Sequence, residues 1–146
     1  MKQDVSISSL KRRARIAVVK TLYEMEMSSL EAEEARDRLR MTCKKPEVLE
    51  FAMKLVELTL EHLASIDDLI VQVAENWDIE RMAAIDRNVL RLGTAEILYM
   101  DDVPEKVTIN EAIEIAKKFS TENSGRFVNG ILDKVARIKS DLRDNL

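Results

Sequence analysis

The chain has 146 residues, of which 46% are apolar and 4% aromatic, with only 3 glycines and 2 prolines. This length predicts a single domain that buries a sizeable core, and the scarcity of turn residues argues against a protein built of many short strands. The net charge of −4, taken as a sum, argues against a nucleic-acid-binding domain, because such domains usually carry an excess of positive charge.

Cysteine and histidine each occur once, as Cys43 and His62. One cysteine excludes an internal disulfide framework, and two such residues are too few for a Cys/His metal cluster. No apolar run reaches the length of about 18 residues that predicts a membrane span, and the N-terminus lacks the apolar core of a signal peptide. We therefore expect a soluble cytoplasmic protein without a metal or a cofactor.

Apolar residues recur at helical spacing from end to end, which predicts an all-α protein of about seven helices. In the first half of the chain, the predicted elements are a largely apolar helix over 11–27, an acidic helix over 30–41, a helix that starts at Pro46 and runs toward Leu63, and a helix opened by a Ser65–Asp68 capping box. A short turn capped by Asp78 follows. The remaining predicted elements are a helix over 83–100, a helix opened by a Thr108–Glu111 capping box, and a last helix that contains Val128 to Val135.

A break at 74–79 predicts two helical halves, roughly 1–76 and 77–146. No linker signal separates the halves, so we expect them to pack together as one domain, 1–146.

Catalysis finds little support in the sequence. His62 lies in an apolar helical pattern and Cys43 stands beside two lysines, so a structural role is favoured for each. The three glycines are isolated from one another, whereas a phosphate-binding loop needs several near one turn. We expect that the protein is not an enzyme.

The charges are unevenly distributed. Residues 1–23 carry six basic side chains and one acidic side chain, a net +5, whereas the remaining 123 residues carry 17 basic and 26 acidic ones, a net −9. The basic residues concentrate in KRRAR at 11–15, near a helix N-terminus, where cations oppose the macrodipole. Such a cluster indicates a site for phosphates, although a solvated helix start is the alternative.

A second group of residues surrounds the loop before the last helix. Lys118, Asn123, Arg126 and Phe127 fall there, and the helical period turns Phe127 about 90° away from the apolar stripe. An exposed aromatic ring beside arginine is a platform for unpaired bases; packing of Phe127 against the first helix is the alternative. For Tyr23, which follows the core stripe, packing is favoured, with its hydroxyl reaching the surface.

Four ordered motifs together resemble the NusB family of bacterial transcription antitermination factors. They are KRRAR at 11–15, DRNVLRLGTAEI at 86–97, VPEKVTINEAIEIAKKF at 103–119 and TENSGRFVNGILDKVA at 121–136. The resemblance covers nearly the whole chain and is weakest at 28–50. It implies a fold of two packed helical bundles and a protein that binds boxA single-stranded RNA of ribosomal RNA leaders together with ribosomal protein NusE, as part of an antitermination complex on RNA polymerase.

The resemblance also implies site residues. An RNA-binding role falls on Lys11, Arg12, Arg13, Arg15, Tyr23, Lys118, Asn123, Arg126 and Phe127, and a role toward NusE falls on Asp86, Arg87 and Arg91. The family often has an acid at the position of Asn123, a lysine at that of Arg126 and an arginine at that of Lys11, so the local charge changes only at Asn123.

Two other functions stay open at this point. A similar helical domain precedes the catalytic domain of some RNA cytosine methyltransferases, and the acidic faces also suit a scaffold that contacts proteins alone. Some NusB-like proteins pair through the RNA-facing surface, so a homodimer also stays open.

Overall fold

The structure, a computed structural model, describes the backbone of residues 7–75 and 77–144 and the side chains up to residue 142. Lys2 and Asp4, which enter the charge count of the first 23 residues, and Asn76, at the predicted boundary between the halves, lie outside the described residues. Seven α-helices and no strand occupy the described ranges, which confirms the all-α prediction.

The helices follow one another with short connections. They are α1 (Ile7–Ser28), α2 (Ala32–Thr42), α3 (Pro46–Glu61), α4 (Leu63–Ala74), α5 (Ala84–Tyr99), α6 (Glu105–Phe119) and α7 (Glu122–Asp144), with a short 3₁₀ turn (Ile79–Arg81) before α5.

The backbone contacts divide the chain into two compact units, 1–57 and 58–146. The break that the sequence shows at 74–79 therefore lies inside the second unit, because α4 packs on α5 and α7. The single domain over 1–146 stays a prediction.

In the first unit, α1 packs on α2. The buried face of α1 includes Val18 and Leu22, and that of α2 includes Leu39. Arg36 of α2 forms a two-pronged hydrogen bond with Glu57 of α3, with 2.5 Å from Nε to Oε2 and 3.0 Å from Nη2 to Oε1. This pair raises the pKa of Arg36 and lowers that of Glu57.

In the second unit, α5 is the central helix and packs on α4, α6 and α7. All its residues from 86 to 97 are buried except Arg91. A methyl group built on Gly93 of α5 would lie 2.7 Å from Cδ1 of Leu132 on α7, so the absence of a side chain permits this close approach.

Two predicted helix starts are wrong. Helix α4 begins at Leu63, with only His62 between it and α3, and Ser65 lies inside it. Helix α6 begins at Glu105 after Pro104, and the hydroxyl of Thr108 donates instead to the buried Glu96, 2.9 Å away. The predicted cap of the short turn is confirmed, because Asp78 accepts a hydrogen bond from the amide of Glu80.

Within the described ranges, no helix is long and apolar enough to cross a membrane. The same ranges hold no group of three or more His, Cys, Asp or Glu side chains placed to bind a metal ion.

Candidate nucleic-acid interface

The N-terminal part of α1 presents a basic surface. Arg12 and Arg13 are exposed, and Lys11 is partly exposed with its Nζ 5.2 Å from the centre of the Phe51 ring. We call these three cations the α1 basic face. Lys11 makes a cation–π contact with the Phe51 ring, while the side chains of both arginines are exposed.

Arg15 differs from its neighbours, because only 1% of its surface is exposed. Its guanidinium carbon lies 5.2 Å from the centre of the same Phe51 ring. The expectation that Arg15 meets phosphate directly does not fit this placement. The physical reason is helical spacing: Arg15 precedes the buried Val19 by four residues and the buried Leu22 by seven, so it shares their face.

Tyr23 lies two turns after Arg15 on α1 and is 37% exposed. The favoured expectation of a packed ring is therefore met only in part, since more than a third of the side chain reaches solvent.

A cleft opens beside the first turn of α7 in the second unit. It has a volume of about 420 Å³, and its lining includes Asn123, Arg126 and Phe127 together with Trp77 and Arg81. We call it the α7 cleft. Phe127 is half-buried and meets the exposed Trp77 edge to face, with ring centres 5.3 Å apart at an angle of 65°. The two rings line the cleft together with two arginines, Arg81 and Arg126.

The floor of the α7 cleft is polar and buried. The Ser124 hydroxyl, 3% exposed in all, donates to Oδ2 of Asp86 at 2.9 Å. The amide of Ser124 in turn donates to the hydroxyl oxygen of Thr121 at 3.2 Å, which caps the start of α7. Oδ1 of Asp86 is also buried and has no hydrogen-bond partner among the described residues.

Lys118 is exposed on the last turn of α6, with its Nζ 5.4 Å from the centre of the Phe119 ring. It is not among the residues that line the α7 cleft. The structure thus gathers three of the four predicted residues near the start of α7 and leaves Lys118 outside their cleft.

The three residues expected to face NusE have internal partners. Asp86 accepts from Ser124, and Arg87 donates to the carbonyls of Ile79 and Met82 at 3.0 and 2.9 Å. Burial, and then the nearby Arg91, lowers the pKa of Arg87.

Arg91 binds both carboxylate oxygens of Asp67, at 2.8 and 2.9 Å, and its side chain is 16% exposed. Contact of Asp86, Arg87 and Arg91 with a partner stays a prediction, and each holds the second unit together in this structure.

Sequence reasoning missed Trp77 and Arg81 as members of the α7 cleft. Trp77 is the only tryptophan of the chain and stands 56% exposed. An aromatic residue in the polar break before α5 was the available signal.

Aromatic faces beside guanidinium groups bind unpaired bases by stacking, and exposed arginines on a helix bind phosphates. The α1 basic face and the α7 cleft therefore both suit single-stranded nucleic acid.

Comparison with known proteins identifies a family. The NusB family matches residues 12–137. A curated relative from Myxococcus xanthus, named transcription antitermination protein NusB, is 42% identical over 131 residues, which cover 86% of this chain and 94% of that protein.

Solved structures agree in fold. NusB from T. maritima is 45% identical, with a TM-score of 0.80 over 87% of this chain and 90% of that one. A crystal structure described as antitermination factors NusB and NusE in complex with dsRNA contains a chain that is 26% identical, with a TM-score of 0.80 over 89% of this chain and 98% of that one.

Proposed function

The chain belongs to the NusB family, and on that premise we propose that it is a transcription antitermination factor. It binds boxA RNA of ribosomal RNA leader transcripts together with ribosomal protein NusE and helps to assemble the antitermination complex on RNA polymerase. It acts by binding, without catalysing a reaction, and it acts in the cytoplasm, where transcription takes place.

One observation supports this proposal above the others. The structure that contains NusB and NusE with RNA has the same fold as this chain, with a TM-score of 0.80 over 89% of it. The α1 basic face and the α7 cleft add the chemistry that RNA requires, which is cationic groups for phosphates and aromatic faces for bases.

The residues divide the work by chemistry. Lys11, Arg12 and Arg13 meet the phosphates of the RNA. Arg15 stabilises the position of Lys11, because both cations contact the same Phe51 ring. Tyr23 offers the exposed part of its ring to a base.

At the α7 cleft, Phe127 stacks on a base while Arg126 and Lys118 meet phosphates. The amide of Asn123 carries both donors and an acceptor, and can therefore read a base edge. Trp77 extends the stacking surface of Phe127, since the two rings are in contact.

NusE binding draws on a different property of the chain. Outside the first 23 residues the net charge is −9, and acidic surfaces favour association with a basic ribosomal protein. The basic N-terminal segment stays available to RNA.

The deciding experiment is a binding titration. A labelled boxA-like RNA is titrated with the protein, with and without NusE, over a series of salt concentrations, and a scrambled RNA of equal length serves as control. We expect preferential binding of the boxA-like RNA, stronger with NusE, with a log–log salt slope of about −0.7 for each neutralised phosphate. Capture of NusE without RNA binding by the protein or by the complex would favour the protein-only scaffold.

A further inference from the structure

The first unit contains a second cleft, and Arg13 is the one lining residue that has been given a role so far. It has a volume of about 420 Å³, and three exposed cations line it, Arg13 of α1 and Lys44 and Lys45 from the connection between α2 and α3. The buried side chains of Cys43 and Val48 line it as well. We call it the lysine cleft.

The cations of the lysine cleft differ from the arginines of α2 in their ion pairing. On α2, Arg36 pairs with Glu33 and Glu57, Arg38 with Glu24, and Arg40 with Asp37. By contrast, Arg13, Lys44 and Lys45 form no ion pair or hydrogen bond with any side chain in the described ranges 7–75 and 77–144. Three like charges around one concave surface whose lining contains no acidic side chain favour an anionic ligand.

The backbone adds to this positive potential. Lys45 precedes Pro46, the first residue of α3, and its carbonyl accepts the first hydrogen bond of that helix from Leu49. A lysine at this position opposes the helix macrodipole and stands beside backbone amides that have no partner inside the helix. Glu47 also lies in this first turn but is not part of the cleft lining, so the surface of the cleft itself stays positive.

Arg13 belongs to both the α1 basic face and the lysine cleft. A chain of phosphates bound along α1 therefore meets the cleft at Arg13 without a gap in positive charge. Lys44 and Lys45 lie in the stretch 28–50, where the sequence least resembles the family motifs, so they are not part of the residue set that the resemblance supplied.

We propose that the lysine cleft binds backbone phosphates of single-stranded RNA that continues beyond the segment held by Arg12 and Arg13. This inference rests on the proposed function, because it extends the same RNA. It assigns Lys44 and Lys45 to phosphate contacts, which raise affinity without reading sequence.

The test measures how the affinity for RNAs of different length depends on the two lysines of the cleft. A short boxA-like core RNA and two longer RNAs, one extended at the 5′ end and one at the 3′ end, are titrated over a salt series with the wild-type protein and with Lys44→Gln plus Lys45→Gln. The control pair, Lys54→Gln plus Lys106→Gln, removes the same net charge from two exposed lysines that do not line the cleft. A Lys44→Arg plus Lys45→Arg variant keeps both charges.

We expect one of the two extended RNAs to bind the wild type more tightly than the core does, with a steeper salt slope. Removal of both cleft lysines then makes that slope shallower by about 1.4, at about 0.7 per phosphate, and leaves the core RNA unaffected. The control pair and the arginine variant keep the wild-type slope.

The proposal is overturned if the cleft variant binds core and extended RNAs as the wild type does, even if it loses affinity for an acidic protein. In that outcome the core RNA still binds, and the proposed function stands. Failure of the wild type to bind the core RNA at any salt concentration overturns the proposed function and, with it, this inference.

Discussion

The α1 basic face and the α7 cleft differ in how their side chains are held. Arg12 and Arg13 are exposed on the surface of α1, whereas Phe127 is half-buried, meets Trp77 and lines a cleft with the hydrogen-bonded pair Ser124 and Asp86. Charges at an exposed surface are screened by salt, while base stacking depends on ring contact. We therefore expect α1 to supply salt-dependent attraction for RNA and the α7 cleft to supply stacking contacts, and separate variants can test each part.

The largest effect is expected at the floor of the α7 cleft. Ser124→Ala removes the donor to Asp86 Oδ2, while Oδ1 has no partner among the described residues. We expect the free energy of unfolding to fall by about 1–3 kcal/mol, since a buried carboxylate is left without its donor. Urea unfolding measures this, with Ser140→Ala, exposed on the same helix, as control. Equal losses in both variants would contradict it.

The next effect concerns stacking. Phe127→Ala should weaken RNA binding by about 1–3 kcal/mol and leave the salt slope unchanged, because no charge is removed. RNA titration over a salt series measures both quantities, and Phe127→Tyr, which keeps the ring, serves as control. Loss of folding in place of affinity would instead identify Phe127 as a core residue.

Arg15→Gln tests whether the buried arginine contributes to stability, unlike its exposed neighbours Arg12 and Arg13. Loss of the contact with Phe51 should lower the free energy of unfolding by about 1–2 kcal/mol with no change in the salt slope of RNA binding. Arg12→Gln is the matched control, and its unfolding free energy should stay near that of the wild type. A shallower slope without a loss of stability would place Arg15 among the RNA contacts.

Arg12→Gln combined with Arg13→Gln tests whether the exposed arginines contribute to RNA binding and leave stability unchanged. The salt slope should become shallower by about 1.4, so that affinity between 50 and 200 mM salt falls about sevenfold less than in the wild type. Thermal unfolding should be unchanged, because both side chains are exposed. The Lys54→Gln plus Lys106→Gln pair controls for net charge, and an unchanged slope in the arginine variant would remove α1 from the interface.

The smallest effect is one of pH. The hydrogen bonds from Arg36 lower the pKa of Glu57, so folding favours the ionised carboxylate. The pair therefore stabilises the protein above the ordinary pKa of glutamate, about 4.3, and this contribution disappears as the pH falls through the lowered pKa. Glu57→Gln should flatten the acid side of the stability curve, and Glu47→Gln, exposed at the start of α3, should not.

Helices were predictable where their apolar stripe was long, as in α1, α5 and α7. Helix starts were less predictable, because a capping pattern competes with tertiary contacts. Thr108 matches a capping box in sequence, yet its hydroxyl serves the buried Glu96, twelve residues earlier on α5. Only the packing of α6 on α5 reveals that partner.

The candidate site was predictable in part for the same reason. The position of Arg15 four and seven residues before buried apolar residues already indicates burial. The contact of Trp77 with Phe127, fifty residues later, has no local signal, because it arises when the segment before α5 meets α7. A cluster of charged residues can be identified in a sequence, whereas the residues that line a cleft can be identified only once the fold is known.

Cys43 gives the lysine cleft a chemical property of its own. It is the only cysteine of the chain, its side chain is 4% exposed, and burial raises the pKa of its thiol. Because alkylating reagents attack the thiolate, the folded first unit should react slowly at neutral pH, and the second unit cannot contribute to the signal. The rate of alkylation therefore reports local opening around the connection between α2 and α3, without any introduced label.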